Sequence, residues 1–282
     1  MANNKTPVVL DLFSGCGGLA LGFSRAGFKV CGIDINKYVR DIFKLNSIGD
    51  AEIADLRKKR ISGKYNVVMG GPPCRPWSAV NLQRRRKQHP DFPLLWTYFK
   101  HVYRLKPALF ILENVPPARQ DAEYASKRLR CHYDIESRVI SYSDWGAATR
   151  RRRMFMVGIK KDLRISTHSF FQVLDTFRQK PKTVKDAIAK LKNADNDPQH
   201  VFPKLKTIRK YMRYYRVGKY GWYILKWDEP APSFGNVMKT YILHPDSLNG
   251  MPPRVISVRE ALCIMGFPLT YTLSLIHISE PT

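Results

Sequence analysis

Apolar residues in this chain fall mostly in short unbroken runs, not in strict alternation. Residues 7–13 read Pro-Val-Val-Leu-Asp-Leu-Phe, residues 28–34 read Phe-Lys-Val-Cys-Gly-Ile-Asp, and further runs lie at 67–69, 109–112 and 154–157. Runs of this kind, closed by Gly, Pro or charged residues, predict strands covered on both faces, as in a parallel sheet. Segments of helical period lie between them, at 19–27 and 91–105. Strand and helix therefore alternate, which predicts an α/β protein with an open sheet wound on both faces.

Two turns in that pattern carry candidate chemistry. The first strand runs straight into Ser14-Gly15-Cys16-Gly17-Gly18, where a backbone without side chains can approach a ligand closely. The second strand ends in Asp34, roughly twenty residues past the glycines, the offset at which a dinucleotide-type fold binds a ribose hydroxyl pair. A further acid, Asp55, stands near the expected end of a third strand. Glycines and acids together predict an adenosine pocket, whereas the glycine turn alone is equally an ordinary tight connection.

The second turn is Gly70-Gly71-Pro72-Pro73-Cys74-Arg75-Pro76-Trp77-Ser78. Proline fixes φ and removes a donor, so Pro72 and Pro73 restrict where the Cys74 side chain points. A thiol held this way suits a nucleophile; taken alone it is also compatible with a small buried apolar cysteine.

Charge changes the picture next. The 282 residues carry 48 Lys and Arg against 23 Asp and Glu, a net charge of +25, far beyond what solubility needs. A polyanionic partner is implied. The five cysteines, Cys16, Cys31, Cys74, Cys131 and Cys263, include no Cys-x-x-Cys pair, and the histidines lack ligand spacing, so neither a disulfide framework nor a metal site is expected. The first residues contain no apolar signal core and no run is long enough to span a bilayer, which predicts a soluble intracellular protein.

Five motifs, in order, resemble those of the cytosine carbon-5 DNA methyltransferase family, over about residues 7–268. Asp11-Leu12-Phe13-Ser14-Gly15-Cys16-Gly17-Gly18 resembles its S-adenosylmethionine loop, Gly71-Pro72-Pro73-Cys74 its nucleophile turn and Glu113-Asn114-Val115 its Glu-Asn-Val motif. Thr149-Arg150-Arg151-Arg152-Arg153 sits where the family has Gln-x-Arg-x-Arg. Arg259-Glu260-Ala261 with Met265-Gly266-Phe267-Pro268 resembles its late element. The resemblance implies a Rossmann-like S-adenosylmethionine-dependent methyltransferase fold with a small target-recognition region. It implies a catalytic and cofactor domain at 1–160, a target-recognition region at 161–230 and a return to the catalytic domain at 231–272.

In that reading Cys74 attacks carbon 6 of cytosine, and Glu113 donates to ring nitrogen 3, kept protonated by the apolar run before it. Asn114 orients the loop around the base. Arg151 holds the cytosine carbonyl or the Cys74 region, with Arg153 behind it; alternation along a strand lets two of the four arginines face the site. The cofactor would meet Phe13, Gly15, Gly17, Gly18, Asp34, Ile35, Asp55 and Pro73. The family commonly has Gln, Phe and Gln where this chain has Arg75, Trp77 and Thr149.

The partner implied is double-stranded DNA, with the target base flipped out. Ser78 and the basic stretch Arg84, Arg85, Arg86 and Lys87 would form a phosphate clamp after the nucleophile, although such a run also resembles a solvated loop or a nuclear-localisation signal. Between 201 and 226 cations, Arg213 and Arg216 among them, interleave with Tyr211, Tyr214, Tyr215, Tyr220, Trp222 and Tyr223 without an acid. This segment reads as a DNA face, as the aromatic core of a small β subdomain, or as both. The expected enzyme is monomeric, needs no metal and, if microbial, is cytoplasmic and nucleoid-associated. Two alternatives stay open: a transfer-RNA cytosine methyltransferase and a catalytically silent DNA-binding homologue.

The family's last helix, with its Gly-Asn pair, has no counterpart after Pro268. Residues 273–282 read as a non-native tail, which predicts a truncated frame with an open cofactor site.

Overall fold

The computed structural model of the protein describes residues 6–78, 86–191, 205–218, 221–234, 242–248 and 252–273. The apolar runs become strands: β1 (Val8–Leu12), β2 (Lys29–Asp34), β3 (Asp50–Ile53), β4 (Val67–Gly70), β5 (Leu109–Asn114), β6 (Tyr133–Ser141) and β7 (Arg152–Lys160). With them come the helices α1 (Gly18–Arg25), α2 (Val39–Leu45), α3 (Leu94–Leu105), α4 (Arg119–Ala125) and α5 (Thr167–Asp175). One seven-stranded sheet runs in the order β3-β2-β1-β4-β5-β7-β6. Its β1–β5 pairings are parallel. β7 runs antiparallel to β5, with Glu113 opposite Phe155 and Asn114 opposite Met154.

Both faces of the central strands are covered, as the unbroken runs predict: every residue of β4 is buried. Leu10, Leu12, Val68, Phe110, Leu112 and Met156 join Tyr98, Phe99 and Val102 of α3 in one apolar cluster. β6 is a strand the apolar pattern does not announce; only Tyr133 and Ile135 are buried along it, the profile of a strand at the sheet margin. β5 also runs further than its apolar core, so Glu113 and Asn114 are strand residues and do not follow the strand.

The chain forms two compact units, Met1–Ile140 with Arg153–Thr176, and Ser141–Arg152 with Phe177–Thr282. These limits differ from those drawn on the sequence. Residues 161–176 belong to the first unit, where Thr167 donates its N–H and Oγ1 to Asp134 at 2.8 and 3.0 Å and the Arg138 guanidinium lies over the Phe171 ring. Residues beyond 230 belong to the second unit instead of returning to the first.

In the second unit short helices at Val184–Ile188 and Val258–Ile264 each begin with a reciprocal capping box, Thr183 with Asp186 and Ser257 with Glu260. Ala148, Val184, Ile188, Leu225, Phe234 and Ile264 form its main core. The small β subdomain expected from the aromatic-basic segment is not what the described residues show. Leu205–Lys210 and Met212–Arg216 are helical, and extended pairing is confined to isolated bridges such as Ile224 with Leu243. Tyr211, Tyr214 and Tyr215 stand at helical spacing, which puts them on one side against Trp222, with ring centroids 4.5 to 5.8 Å away. No helix among the described residues is long and apolar enough to cross a membrane.

Candidate active site

The carboxyl ends of parallel strands are where an open α/β sheet binds its ligands. β4 and β5 lie side by side with Gly70 opposite Leu112, so the turn after β4 emerges beside Glu113 and Asn114. Gly71 lies close against Glu113: a Cβ there would stand 3.2 Å from Glu113 Oε2, which would have to give way slightly. Buried Asn114 donates its Nδ2 to the Pro72 carbonyl at 3.1 Å, and its Oδ1 accepts from the Val115 N–H. The turn carrying Cys74 is thus fastened to the strand carrying Glu113. Cys74 is half-buried and free, and its carbonyl accepts from Trp77 N.

Glu113 is not in the purely apolar setting that its preceding run suggests. Arg153 Nε pairs with its Oε1 at 3.0 Å, the two side chains being 12 and 20% exposed for Arg153 and Glu113. The register explains the pair: Phe155 is opposite Glu113, and Arg153, two residues away on the same face of β7, takes the diagonal position. Arg153, expected behind Arg151, is the arginine that meets Glu113. Arg151 has its contacts in the second unit, donating Nη1 to the Phe234 carbonyl at 3.3 Å and facing the Tyr142 ring. Its Nε is buried without a hydrogen-bond partner among the described residues. Exposure alternates as expected, with Arg150 and Arg152 outward, although the strand begins only at Arg152.

The glycine loop brings a second constellation together. Gly17 has φ 71°, and a Cβ on it would lie 2.9 Å from Ile48, so this turn requires glycine. Phe13, at φ 59°, shares the left-handed conformation. Asp34 ties the loop to the end of β2, accepting from Gly15 N and Asn36 N at 2.8 Å each. Ile35 beside it is 65% exposed, and none of the described residues lies within 4 Å of where a Gly15 Cβ would be. An acid for ribose hydroxyls, an exposed aliphatic face for a purine and open space along a glycine backbone fit an adenosine-bearing ligand. Gly18 opens α1, and Pro73 is half-buried beside Cys74. Asp55 follows β3 as expected, and its carboxylate is held by Arg57, whose Nε and Nη2 lie 2.8 to 3.1 Å away; that hydrogen bond holds the carboxyl below its usual range. Asp11, wholly buried under the loop, is pushed well above the ordinary aspartate range by desolvation and by the nearby Asp34 charge.

Of the basic stretch after the nucleophile, Arg84 and Arg85 lie outside the described residues. Arg86 does not simply face solvent: it forms an ion pair with Asp121 at 3.1 Å. The same carboxylate accepts from the Trp77 indole N–H at 2.8 Å. Asp121, which sequence reasoning passed over, therefore grips residues on both sides of the interval 79–85. The signal for it was the indole at Trp77, where the family commonly has Phe. Ser78 is half-buried and Lys87 exposed. In the second unit Arg213 is stacked 4.8 Å from the Tyr214 ring and donates to its hydroxyl, while Arg216 is exposed.

A Rossmann-like sheet with an antiparallel strand inserted beside β5, a glycine loop after β1 and a cysteine turn after β4 fastened to the end of β5 define the fold of an S-adenosylmethionine-dependent methyltransferase. The chain belongs to the C-5 cytosine-specific DNA methylase family, whose model matches residues 8–277. It is a DNA cytosine-5 methyltransferase and takes its methyl group from S-adenosylmethionine. Among similar proteins, the type II methyltransferase M.FnuDI of Fusobacterium nucleatum is 27% identical over 93% of this chain and 85% of its own. M.HindV of Haemophilus influenzae is 27% identical over 94% of this chain and 86% of its own. The fold matches the Dnmt2 methyltransferase of S. pombe with TM-score 0.68 at 19% identity, over 96% of this chain and 89% of that one. The Entamoeba histolytica methyltransferase EhMeth gives 0.65 at 18%, over 95 and 88%.

Proposed function

We propose that the enzyme methylates cytosine in double-stranded DNA through a covalent Cys74 adduct on a base turned out of the helix. The observation that supports the reading is the Asn114 hydrogen bond to the Pro72 carbonyl, which fastens the turn carrying half-buried Cys74 to the strand carrying Glu113 and its Arg153 partner. Carbon 5 of cytosine is a poor nucleophile within the aromatic ring. Cys74 gives its proton to solvent, and addition of the resulting thiolate to carbon 6 breaks the carbon 5–carbon 6 double bond and pushes its electron pair toward carbon 5 and the ring nitrogens. Glu113 shares a proton with ring nitrogen 3 and so relieves the charge, and Arg153 keeps its carboxyl group in place. When bound, S-adenosylmethionine supplies an electrophilic methyl group on a sulfonium sulfur. Loss of the carbon 5 proton to solvent and departure of the Cys74 sulfur restore the double bond. Phe13, Gly15, Gly17, Gly18, Asp34, Ile35, Asp55 and Pro73 are the residues that would hold the cofactor, and Arg151, whose Nε has no partner among the described residues, is the remaining candidate for the base.

The target-recognition role belongs in this reading to the aromatic-basic helices of the second unit. There Arg213 is already stacked on Tyr214, a cation held ready for phosphate.

Covalent trapping tests the reading. The protein is mixed with S-adenosylmethionine and either duplex DNA or transfer RNA carrying 5-fluorocytosine, whose fluorine cannot leave as a proton does, and is run on a denaturing gel. A Cys74-dependent adduct with duplex is expected, absent in Cys74→Ser. An adduct with RNA alone moves the acceptor to transfer RNA. No adduct from folded, cofactor-binding protein leaves a silent DNA-binding homologue.

A further inference from the structure

Away from Cys74 and the glycine loop, the first unit carries an open furrow of about 760 Å³ between α3 and the segment that follows β5. One wall is a single face of α3: Trp96, Lys100 and Tyr103 stand at positions i, i+4 and i+7. The facing wall repeats the alternation with Tyr124, Lys127 and Arg128. No acid lines it.

These groups face solvent in a way that packing does not explain. Tyr103 is 53% and Tyr124 72% exposed, unusual for rings on a compact unit, and all three cations are exposed. Trp96 is held from behind by Phe92, with ring centroids 4.7 Å apart. A second hollow of about 310 Å³ shares Tyr103 and Leu129 with the first and adds Lys106, Lys160 and Lys161 against one acid, Asp162. The furrow is thus continuous and positive along its length.

We propose that this furrow binds a short stretch of single-stranded nucleic acid. Cations at intervals match a phosphate backbone, and rings between them give unpaired bases a face to stack on. A duplex keeps its bases inside and has no use for exposed tyrosines. Pro93, Phe99, Ala125 and Leu129 complete the lining and give the bases an apolar floor, while the cations along both walls favour a polyanion over an uncharged apolar partner.

The test is fluorescence anisotropy of a labelled eight-residue oligothymidine with the full chain. Three proteins are compared: the unaltered enzyme, the double variant Tyr103→Ala with Tyr124→Ala, and the double variant Lys100→Glu with Lys127→Glu. Loss of two stacking faces weakens binding by about tenfold or more. Loss of two phosphate contacts lowers the slope of log affinity against log salt by about 1.4. The four residues line the furrow and are not among those assigned to cytosine, cofactor or the Cys74 turn, so methyl transfer to duplex stays at its starting rate and certifies folding. Affinity unchanged in both variants, or no oligothymidine binding by the unaltered protein, overturns the proposal. A parallel loss of duplex affinity and methyl transfer assigns the furrow to the duplex and overturns it as well.

Discussion

Each compact unit holds a glutamate paired with an arginine, and the two pairs differ in how completely they are closed. In the second unit Glu260, 1% exposed, takes both Arg254 terminal nitrogens at 2.8 and 2.9 Å, accepts from Ser257 N at 2.7 Å and has His244 3.6 Å away. In the first unit Glu113 meets Arg153 Nε at 3.0 Å and keeps a fifth of its side chain open beside the Cys74 turn. A carboxylate saturated by its own chain can only hold structure. One that stays a fifth exposed at a strand end can take part in chemistry.

Breaking the closed pair tests the first half of that contrast. Glu260→Ala leaves the Arg254 guanidinium without its carboxylate and removes a helix cap, and should lower unfolding free energy by about 3 to 5 kcal/mol in urea titration. Glu113→Gln should do the reverse, cutting methyl transfer by about 10²- to 10³-fold while changing stability by about 1 kcal/mol or less. If the two substitutions had the same profile, the distinction between the pairs would collapse.

Acid sharpens it further. Burial pushes the Glu260 carboxyl up, but hydrogen bonds from Arg254 and Ser257 with the Arg254 and His244 charges outweigh it, so the group sits below the ordinary value of 4.5. Its contribution is complete above that value and disappears as pH falls through the lower folded one. Stability of the parent should therefore drop on acidification below about 4.5, and the Glu260→Gln protein should lack that component. The smallest effect is expected at Trp77→Phe, which removes one hydrogen bond to Asp121 and should cost about 1 kcal/mol, read by thermal unfolding.

How far the sequence spoke depended on whether a signal was local. β1, β2, β4 and β5 were legible because burial on both faces leaves only apolar residues at their centres. β6 was not, since Asp134, Glu136 and Arg138 lie along a strand whose residues are mostly half-buried. The aromatic segment carried its answer in spacing: Tyr211, Tyr214 and Tyr215 are a helical stripe, but their density suggested a sheet. That the Cys74 turn and the Glu113-Asn114 segment belong together was suggested by residue types and order, and the Asn114 hydrogen bond to Pro72 joins them. The meeting of Glu113 with Arg153 was not legible, because it rests on β7 entering the sheet antiparallel beside β5. Nor was Asp121, whose partners are 44 and 35 residues away.

The strand order also sets a timetable. β6 is synthesised before β7, yet the sheet places β7 between β5 and β6, after an excursion of the chain into the second unit. Until residues 152–160 have left the ribosome, β6 has no neighbour and β5 offers a bare row of amides and carbonyls. That interval is when the nascent chain is most open to pairing with a copy of itself. A pause in translation just before Arg152 should therefore favour aggregation, while one placed after Lys160 should not.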